Sequence, residues 1–400
     1  MPFNLKRTLR QRDPTMHDQT PSRSRTPSPT ARRGLLTLVA VAAFLVLNVG
    51  EALAQIAPGT REIPARVLGG VPMTAADSMV AQLVDELDFD SYKQLIRGLA
   101  DFGDRREGTE RNIRSNEWIE EQLQGWGYET ERVHYEFRGQ PRWQVIATKV
   151  GTTVPEEMVI LGAHMDGIGG GEAVNDNASG TALVMEIARV LALPGVETER
   201  SVRFALWNNE ETGLNGARAY VEQRAELQGI EDPPGSGNYP EPRWIAMIQH
   251  DKVLYDRGNP PGLHQAWNAD VDVEYQLVSE EWEASAALGL RLLNSSRKFS
   301  TDYPAVLSNS MSNTDSTPFM NHVAAVSVRE NRRLYEIGWR GPAGYGARGS
   351  DPHWHRPTDL YVNYTDWDFL LGFNAMQMTL GATAELVGAS FVRTPAGSDG

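Results

Sequence analysis

Apolar residues recur at three- and four-residue steps through Thr74 to Leu87 and again through Tyr92 to Ala100, which is the helical period. Thr109 to Trp126 repeats it through Ile113, Trp118, Ile119, Leu123 and Trp126, and Gly127 supplies a stop. The pattern then becomes strand-like over Glu131 to Phe137, Trp143 to Val150 and Met158 to Gly162. A helix over Ser179 to Leu193, a strand Val202 to Trp207, a helix Ala217 to Arg224 and a strand Trp244 to Ile248 follow. The last third offers a strand Val273 to Val278, a helix Trp282 to Leu293, a strand Ala324 to Val328 and a long helix Asp368 to Val387. Strands alternating with helices predict an α/β fold: a mostly parallel, twisted mixed sheet with helices on both faces. Two segments interrupt the alternation. Gln228 to Arg243 is rich in Pro and Gly, and Asn331 to Trp354 holds five glycines, two prolines, two tyrosines and two tryptophans. Loops of that length inside a domain tend to be functional or mobile.

The first 54 residues follow none of these periods. A Ser/Thr/Pro/Arg-rich stretch leads to Arg32-Arg33 and an almost uncharged apolar run from Gly34 to Val49. Ala52-Leu53-Ala54 then matches the small-x-small pattern of a signal peptidase site. The run is shorter than the roughly 20 residues of a membrane span. Residues 1–54 are therefore expected to be a signal peptide, 55–72 a lead-in, and the destination the periplasm or the medium, with no stable membrane association after cleavage. An uncleaved anchor is the alternative. The chain carries no cysteine, which removes disulfides, thiolate zinc sites, Cys nucleophiles and lipid attachment at Cys together.

The formal charge of the 400 residues is −14, and residues 55–400 alone stand at −19. A body that acidic is poorly suited to nucleic-acid backbones or anionic membranes and well suited to gathering cations. Four polar stretches fall where strands end. His164-Met165-Asp166 follows an apolar run, and residues two apart on an extended segment share a side, so one can bind a metal while the other orients it. Asn175-Asp176-Asn177-Ala178-Ser179-Gly180 opens a helix; capping accounts for one of those polar residues but less well for three. Glu210-Glu211 is a pair of adjacent carboxylates that repel unless a cation or a function uses them. His353-Trp354-His355-Arg356-Pro357-Thr358-Asp359 is the fourth. Carboxylates with a few imidazoles and no thiolate are the ligand set of a hydrolytic zinc or manganese site.

In this combination and order the motifs resemble the co-catalytic di-zinc aminopeptidases of the bacterial leucyl, Streptomyces and aminopeptidase Y type, peptidase family 28 of the metallopeptidases. The likeness runs from about Leu95 to Val387 and includes Leu99-Ala100-Asp101-Phe102-Gly103, Arg105, Gly213-Leu214, Gly216, Pro357 and Asp359. The resemblance implies a zinc-exopeptidase-like fold, with residues 73–400 as a single catalytic domain and no protease-associated insert between Tyr128 and Met158. It implies two Zn2+ ions and a peptide substrate cut at its N-terminal residue. Asp176 would bridge the ions; Glu211 and His355 would complete one site, His164 and Asp251 the other. Asp166 would orient His164, and Glu210 would be the general base acting on a metal-activated water. The family likeness also implies a cis peptide bond between Asp176 and Asn177. Asp251 sits in Gln249-His250-Asp251-Lys252, where the family has apolar neighbours.

Three other readings share these residues. A carboxypeptidase or dipeptidase on the same fold would hold a substrate carboxylate with Arg or Lys, and Arg329, Arg332, Arg333 and Arg340 lie near the long loop. Glutaminyl cyclases resemble the family but use one zinc. A non-catalytic receptor-like domain would have lost ligands, whereas all are present here. Oligomeric state leaves no mark on the sequence.

Overall fold

The computed structural model describes residues 73–255, 271–309, 311, 313–330 and 351–392. The expected signal peptide, the lead-in, residues 331–350 of the long loop, and Arg332, Arg333 and Arg340 lie outside the described residues. The chain opens with α1 (Ala75–Val84), α2 (Phe89–Ala100) and α3 (Glu110–Gly125). Each start is set by a side chain that accepts an otherwise unpaired amide: Thr74 from Asp77, Asp88 from Ser91, Thr109 from Asn112. A hairpin of β1 (Thr130–Phe137) and β2 (Gln140–Lys149) occupies most of the path from Tyr128 to Met158.

The centre is β3 (Val154–His164), α4 (Ser179–Leu191), a short β4 (Val196–Glu197), β5 (Arg200–Trp207), α5 (Asn215–Arg224) and β6 (Arg243–His250). Then come β7 (Val271–Glu274), α6 (Trp282–Phe299), β8 (Ala305–Ser308), β9 (Ala325–Glu330), α7 (Asp366–Val387) and β10 (Ser390–Phe391), which pairs with β4. Eight strands form one sheet in the order β1-β2-β5-β3-β6-β9-β7-β8. The central β5, β3, β6 and β9 run parallel; β2 is antiparallel to β5, and β7 to β9. The mostly parallel mixed sheet expected from the alternation is therefore observed.

The strand period of two divides the core. Along β3, Met158 and Ile160 join an apolar cluster with Trp207, Tyr220, Trp244 and Phe319 on the α5 face. Val159, Leu161 and Ala163 join the larger cluster with α4 and α7 on the other face. Helices thus cover both sides. In α4 every residue except Arg189 is buried, as a helix wedged between sheet and helices requires.

Three elements differ from expectation. β7 ends at Glu274, where its ladder with β9 stops opposite Ser327, so Val278 is 79% exposed and not in a strand. α6 runs on to Phe299 because Ser295, Ser296 and Phe299 bury beyond Leu293. β8 has only four residues at the sheet's edge, too few to show an alternation in sequence. No helix among the described residues is long and apolar enough to cross a membrane.

Candidate active site

In a parallel sheet the carboxyl ends of neighbouring strands converge, and ligand sites form there. β3 ends at His164, β5 leads into Glu210 and Glu211, β6 into Asp251, and β9 carries Arg329. Asp176 comes from the turn before α4, and His355 from the segment after the long loop. All six candidate ligands and base side chains line one cleft. Lys252, Asn313, Arg329 and Trp354 furnish polar and aromatic parts of its wall.

His164 is 1% exposed, and its Nδ1 lies 3.0 Å from the Asp166 carbonyl oxygen. A carbonyl can only accept, so Nδ1 carries a proton and Nε2 faces the cleft, where burial of the imidazole is outweighed by the carboxylates of Glu210, Asp176 and Asp251, which hold it well above its ordinary proton affinity. That Nε2 is 3.3 Å from Asp176 Oδ1 and 3.6 Å from Asp251 Oδ1. The other oxygen of Asp176, Oδ2, is 3.1 Å from His355 Nε2, which in turn is 2.9 Å from Glu211 Oε2. Asp176 therefore shows one oxygen to each imidazole. The peptide bond after Asp176 is cis. Its surroundings are pinned: the Asp359 carboxylate accepts the amides of Asn175 (2.9 Å) and Asp176 (3.2 Å), and Asn177 Nδ2 donates to the His250 carbonyl.

Asp166 is placed differently from the sequence reading. Its backbone carbonyl, not its carboxylate, meets His164; the carboxylate is 3.8 Å from Nδ1. That carboxylate instead accepts the amides of Glu210 (3.0 Å) and Glu211 (3.3 Å) and so fixes the paired glutamates. Gly169, at φ 101°, lets its loop press on the His355 backbone, where a Cβ would come within 2.6 Å of the carbonyl carbon. Behind these loops Arg105 is fully buried and donates to the carbonyls of Leu99, Gly103, Met165, Glu172 and Ala173.

The charges are crowded. Burial, followed by the field of Asp176, pushes Glu211 up to about 7 despite its bond to His355. Burial also drives Glu210 well above the usual carboxylate range, against the attraction of His164. Burial lowers the affinity of His355 for its proton, but hydrogen bonds to Asp176 and Glu211 reverse this and raise it to about 10. Asp251 goes the other way: burial opposes its charge, yet Arg329, at 2.8 Å, and His164 hold it well below its ordinary range. Glu211 Oε1 is buried with no hydrogen-bond partner among the described residues.

Such a set fits divalent cations. Two groups, His164 with Glu210 and Asp251, and His164 with Asp176 and Glu211, each offer ligand atoms within 4.8 Å of one another. Hard oxygens and imidazole nitrogens are the donors that zinc takes, and added positive charge would relieve the repulsion that raises Glu210 and Glu211. Two participants were not singled out as site residues in the sequence. Asp315 is buried beside Gln249, which donates to it at 3.0 Å, and it adds to the field on Glu210. Arg329, which in sequence stands only near the long loop, pairs with Asp251. Their partners lie far along the chain, so no local spacing marks them.

The described fold and site can be compared with known proteins. Part of the chain is 29% identical over 132 residues to leupeptin-inactivating enzyme 1 of Streptomyces exfoliatus, covering 32% of this chain and 30% of that protein. Another match, 41% over 134 residues, is to leucine aminopeptidase 2 of Trichophyton equinum, covering 32% and 26%. The matched stretch thus spans less than a third of either curated relative. The structure of the LapA aminopeptidase of Legionella pneumophila shares the fold, with a TM-score of 0.58 at 16% identity over 82% of this chain and 77% of that one. The sequence model of Peptidase family M28 matches residues 144–380, more than half of the chain and a span holding every candidate site residue; the chain belongs to Peptidase family M28.

Proposed function

We propose that this protein is a metal-dependent exopeptidase that releases the N-terminal residue of peptides, with zinc held by His164, Asp176, Glu211, Asp251 and His355. The observation that carries this reading is Asp176, whose two oxygens address two different histidines at 3.3 and 3.1 Å. Bound zinc ions would supply Lewis acidity and lower the pKa of a water toward neutrality.

The rest of the chemistry belongs to the chain. His164 keeps its Nδ1 proton on the Asp166 carbonyl and so offers Nε2. Glu211 is tied to His355, whereas the Glu210 carboxylate accepts no hydrogen bond from the described residues and borders the cleft. Glu210 is thus the group left to take a proton from the attacking water and return it to the leaving amine. Arg329 holds Asp251 ionised from behind. The apolar α4 and sheet residues keep this assembly on rigid elements.

A panel of aminoacyl p-nitroanilides with free and acetylated amines, with and without a chelator, tests the reading. Free-amine substrates should be cleaved and acetylated ones spared, with loss of activity on chelation and recovery on adding zinc; elemental analysis should find about two ions per chain, as two-metal sites hold. Equal cleavage of blocked substrates, or full activity without metal, would refute it. The cations Lys252 and Arg329 on the wall favour a second reading, a dipeptidase or carboxypeptidase, so the panel includes C-terminally amidated peptides. Export through residues 1–54 is part of the proposal; a full-length chain retained in the cytoplasm would contradict it.

A further inference from the structure

Four cations are buried among the described residues: Arg105, Arg203, Lys252 and Arg329. Three are matched by oxygen atoms. Arg105 donates to backbone carbonyls, Arg203 pairs with Glu241, and Arg329 pairs with Asp251 and Glu274. Lys252 is 7% exposed, and its ammonium makes no hydrogen bond or ion pair among the described residues. The ammonium stands over the Trp354 ring, whose centroid is 4.1 Å from Nζ. A ring face offsets only part of the cost of burying an ammonium.

The backbone holds Lys252 in that position. Its amide donates to Asn177 Oδ1 at 3.2 Å, and its carbonyl accepts the Glu330 amide at 2.7 Å. Its φ is 56°, a left-handed conformation uncommon for a side chain other than glycine. The residue therefore leaves the alternation of β6 and lines the same cleft as Asp251. Its charge reaches the carboxylates of Asp251 and Glu330 at longer range, and both are engaged elsewhere. Asp251 is paired with Arg329, and Glu330 Oε2 accepts Asn175 Nδ2 and the Tyr255 amide. Trp354 packs on His355 at 4.5 Å between ring centroids, so the Lys252–Trp354 pair abuts a candidate ligand.

We propose that Lys252, seated on Trp354, is a specificity-determining residue that pairs with a carboxylate carried by the substrate close to the scissile bond. Two sources share that chemistry: the side chain of an N-terminal glutamate or aspartate, and the terminal carboxylate of a dipeptide. The proposal rests on the peptidase reading above and names its substrate class.

The test uses isosteric pairs that differ in one charge: glutamyl- against glutaminyl-p-nitroanilide, and Leu-Gly against Leu-Gly-amide. Wild type, Lys252→Met, Lys252→Gln and Lys252→Arg are compared by the ratio of kcat/KM within each pair, which cancels general losses of folding or metal. Wild type should favour the charged member of one pair, and that pair identifies the source. The ratio should fall about 10- to 100-fold in Lys252→Met and Lys252→Gln, the range for a charge-assisted hydrogen bond in a desolvated site, and persist in Lys252→Arg. Calorimetric binding of glutamate against glutamine, or of Leu-Gly against its amide, should lose the same preference. A wild type with no preference in either pair overturns the proposal without any variant, as does a ratio unchanged in Lys252→Met. In both cases chelator-sensitive cleavage of the neutral members leaves the peptidase reading standing. Inertness toward all four substrates refutes both.

Discussion

Replacing Arg105 by lysine should loosen the site from behind while leaving every candidate ligand in place. The guanidinium spans three segments: Leu99 and Gly103 at the end of α2, Met165 between His164 and Asp166, and Glu172 and Ala173 just before the turn that carries Asp176. Lysine keeps the charge but has three donors on a single atom, so at least two of these carbonyls lose their partner. A buried acceptor left unpaired costs about 1–3 kcal/mol, so two of them give a loss of roughly 2–6 kcal/mol. For a folded body of this size that is a fall in melting temperature of roughly 3–10 °C.

The candidate metal site should feel the same substitution. Met165 and Ala173 are anchor points of the loops that hold His164 and Asp176, and disturbing groups that support ligands lowers metal affinity by about 10- to 100-fold. Thermal melts of chelated and zinc-loaded protein, with a competitive zinc titration, read both effects. A melting temperature within about 2 °C of wild type, together with unaltered zinc affinity, would refute the reasoning that Arg105 ties the two loops together.

Four further outcomes are expected. Glu210→Gln should retain metal and lower kcat by about 10²–10⁴-fold, whereas Glu211→Ala should lose metal; equal metal loss in both, by elemental analysis, would show the pair wrongly divided. In the ion-free protein the bonds from Asp176 and Glu211 outweigh burial and raise His355 to about 10, and the carboxylates around His164 raise that imidazole well above its ordinary value, so a metal must displace protons from both. Affinity should then rise with pH through neutrality, by about tenfold per unit for each displaced proton; calorimetry in buffers of different ionisation enthalpy that finds no proton release would contradict this. Gly216→Ala should drive a Cβ into Gln144 Oε1 and the Asn208 carbonyl and cost roughly 1–3 kcal/mol, read by chemical denaturation. Chelation should lower the melting temperature of wild type, since an ion that binds only the folded chain stabilises it.

The fold and part of the candidate site were legible for one reason: His164, Glu210-Glu211 and Asp251 follow apolar runs, and a parallel sheet brings such run ends together. β3, β5 and β6 are long and almost wholly buried, so their composition betrayed them. β8 left no comparable trace, being four residues at an edge with mostly intermediate burial. His355 was legible only through the family likeness, because nothing in its local pattern says that it returns to Asp176 from 179 positions away. Asp166 shows the limit most clearly. Residues two apart on an extended segment face one side, but that rule does not tell a backbone carbonyl from a carboxylate, and it is the carbonyl that meets His164. Asp315 and Arg329 had no signal at all, since each is defined by partners on other strands.

That misplaced carboxylate explains how two adjacent glutamates come to have different surroundings. Asp166 accepts both of their amides, so the Glu210–Glu211 backbone is held against the end of β3 and its side chains have little freedom of approach. Glu211 falls with His164 and Asp176 and is bonded to His355; Glu210 falls with His164 and Asp251, without a hydrogen bond from the described residues. A residue that oriented only His164 would leave the glutamates free to exchange roles. Asp166→Asn tests which task dominates. An amide can accept one of the two N–H groups but presents donors to the other, while the backbone carbonyl that holds His164 is untouched. If fixing the glutamates is the task, kcat should fall with metal content nearly preserved. Loss of metal in step with activity would instead return the carboxylate to the support of His164.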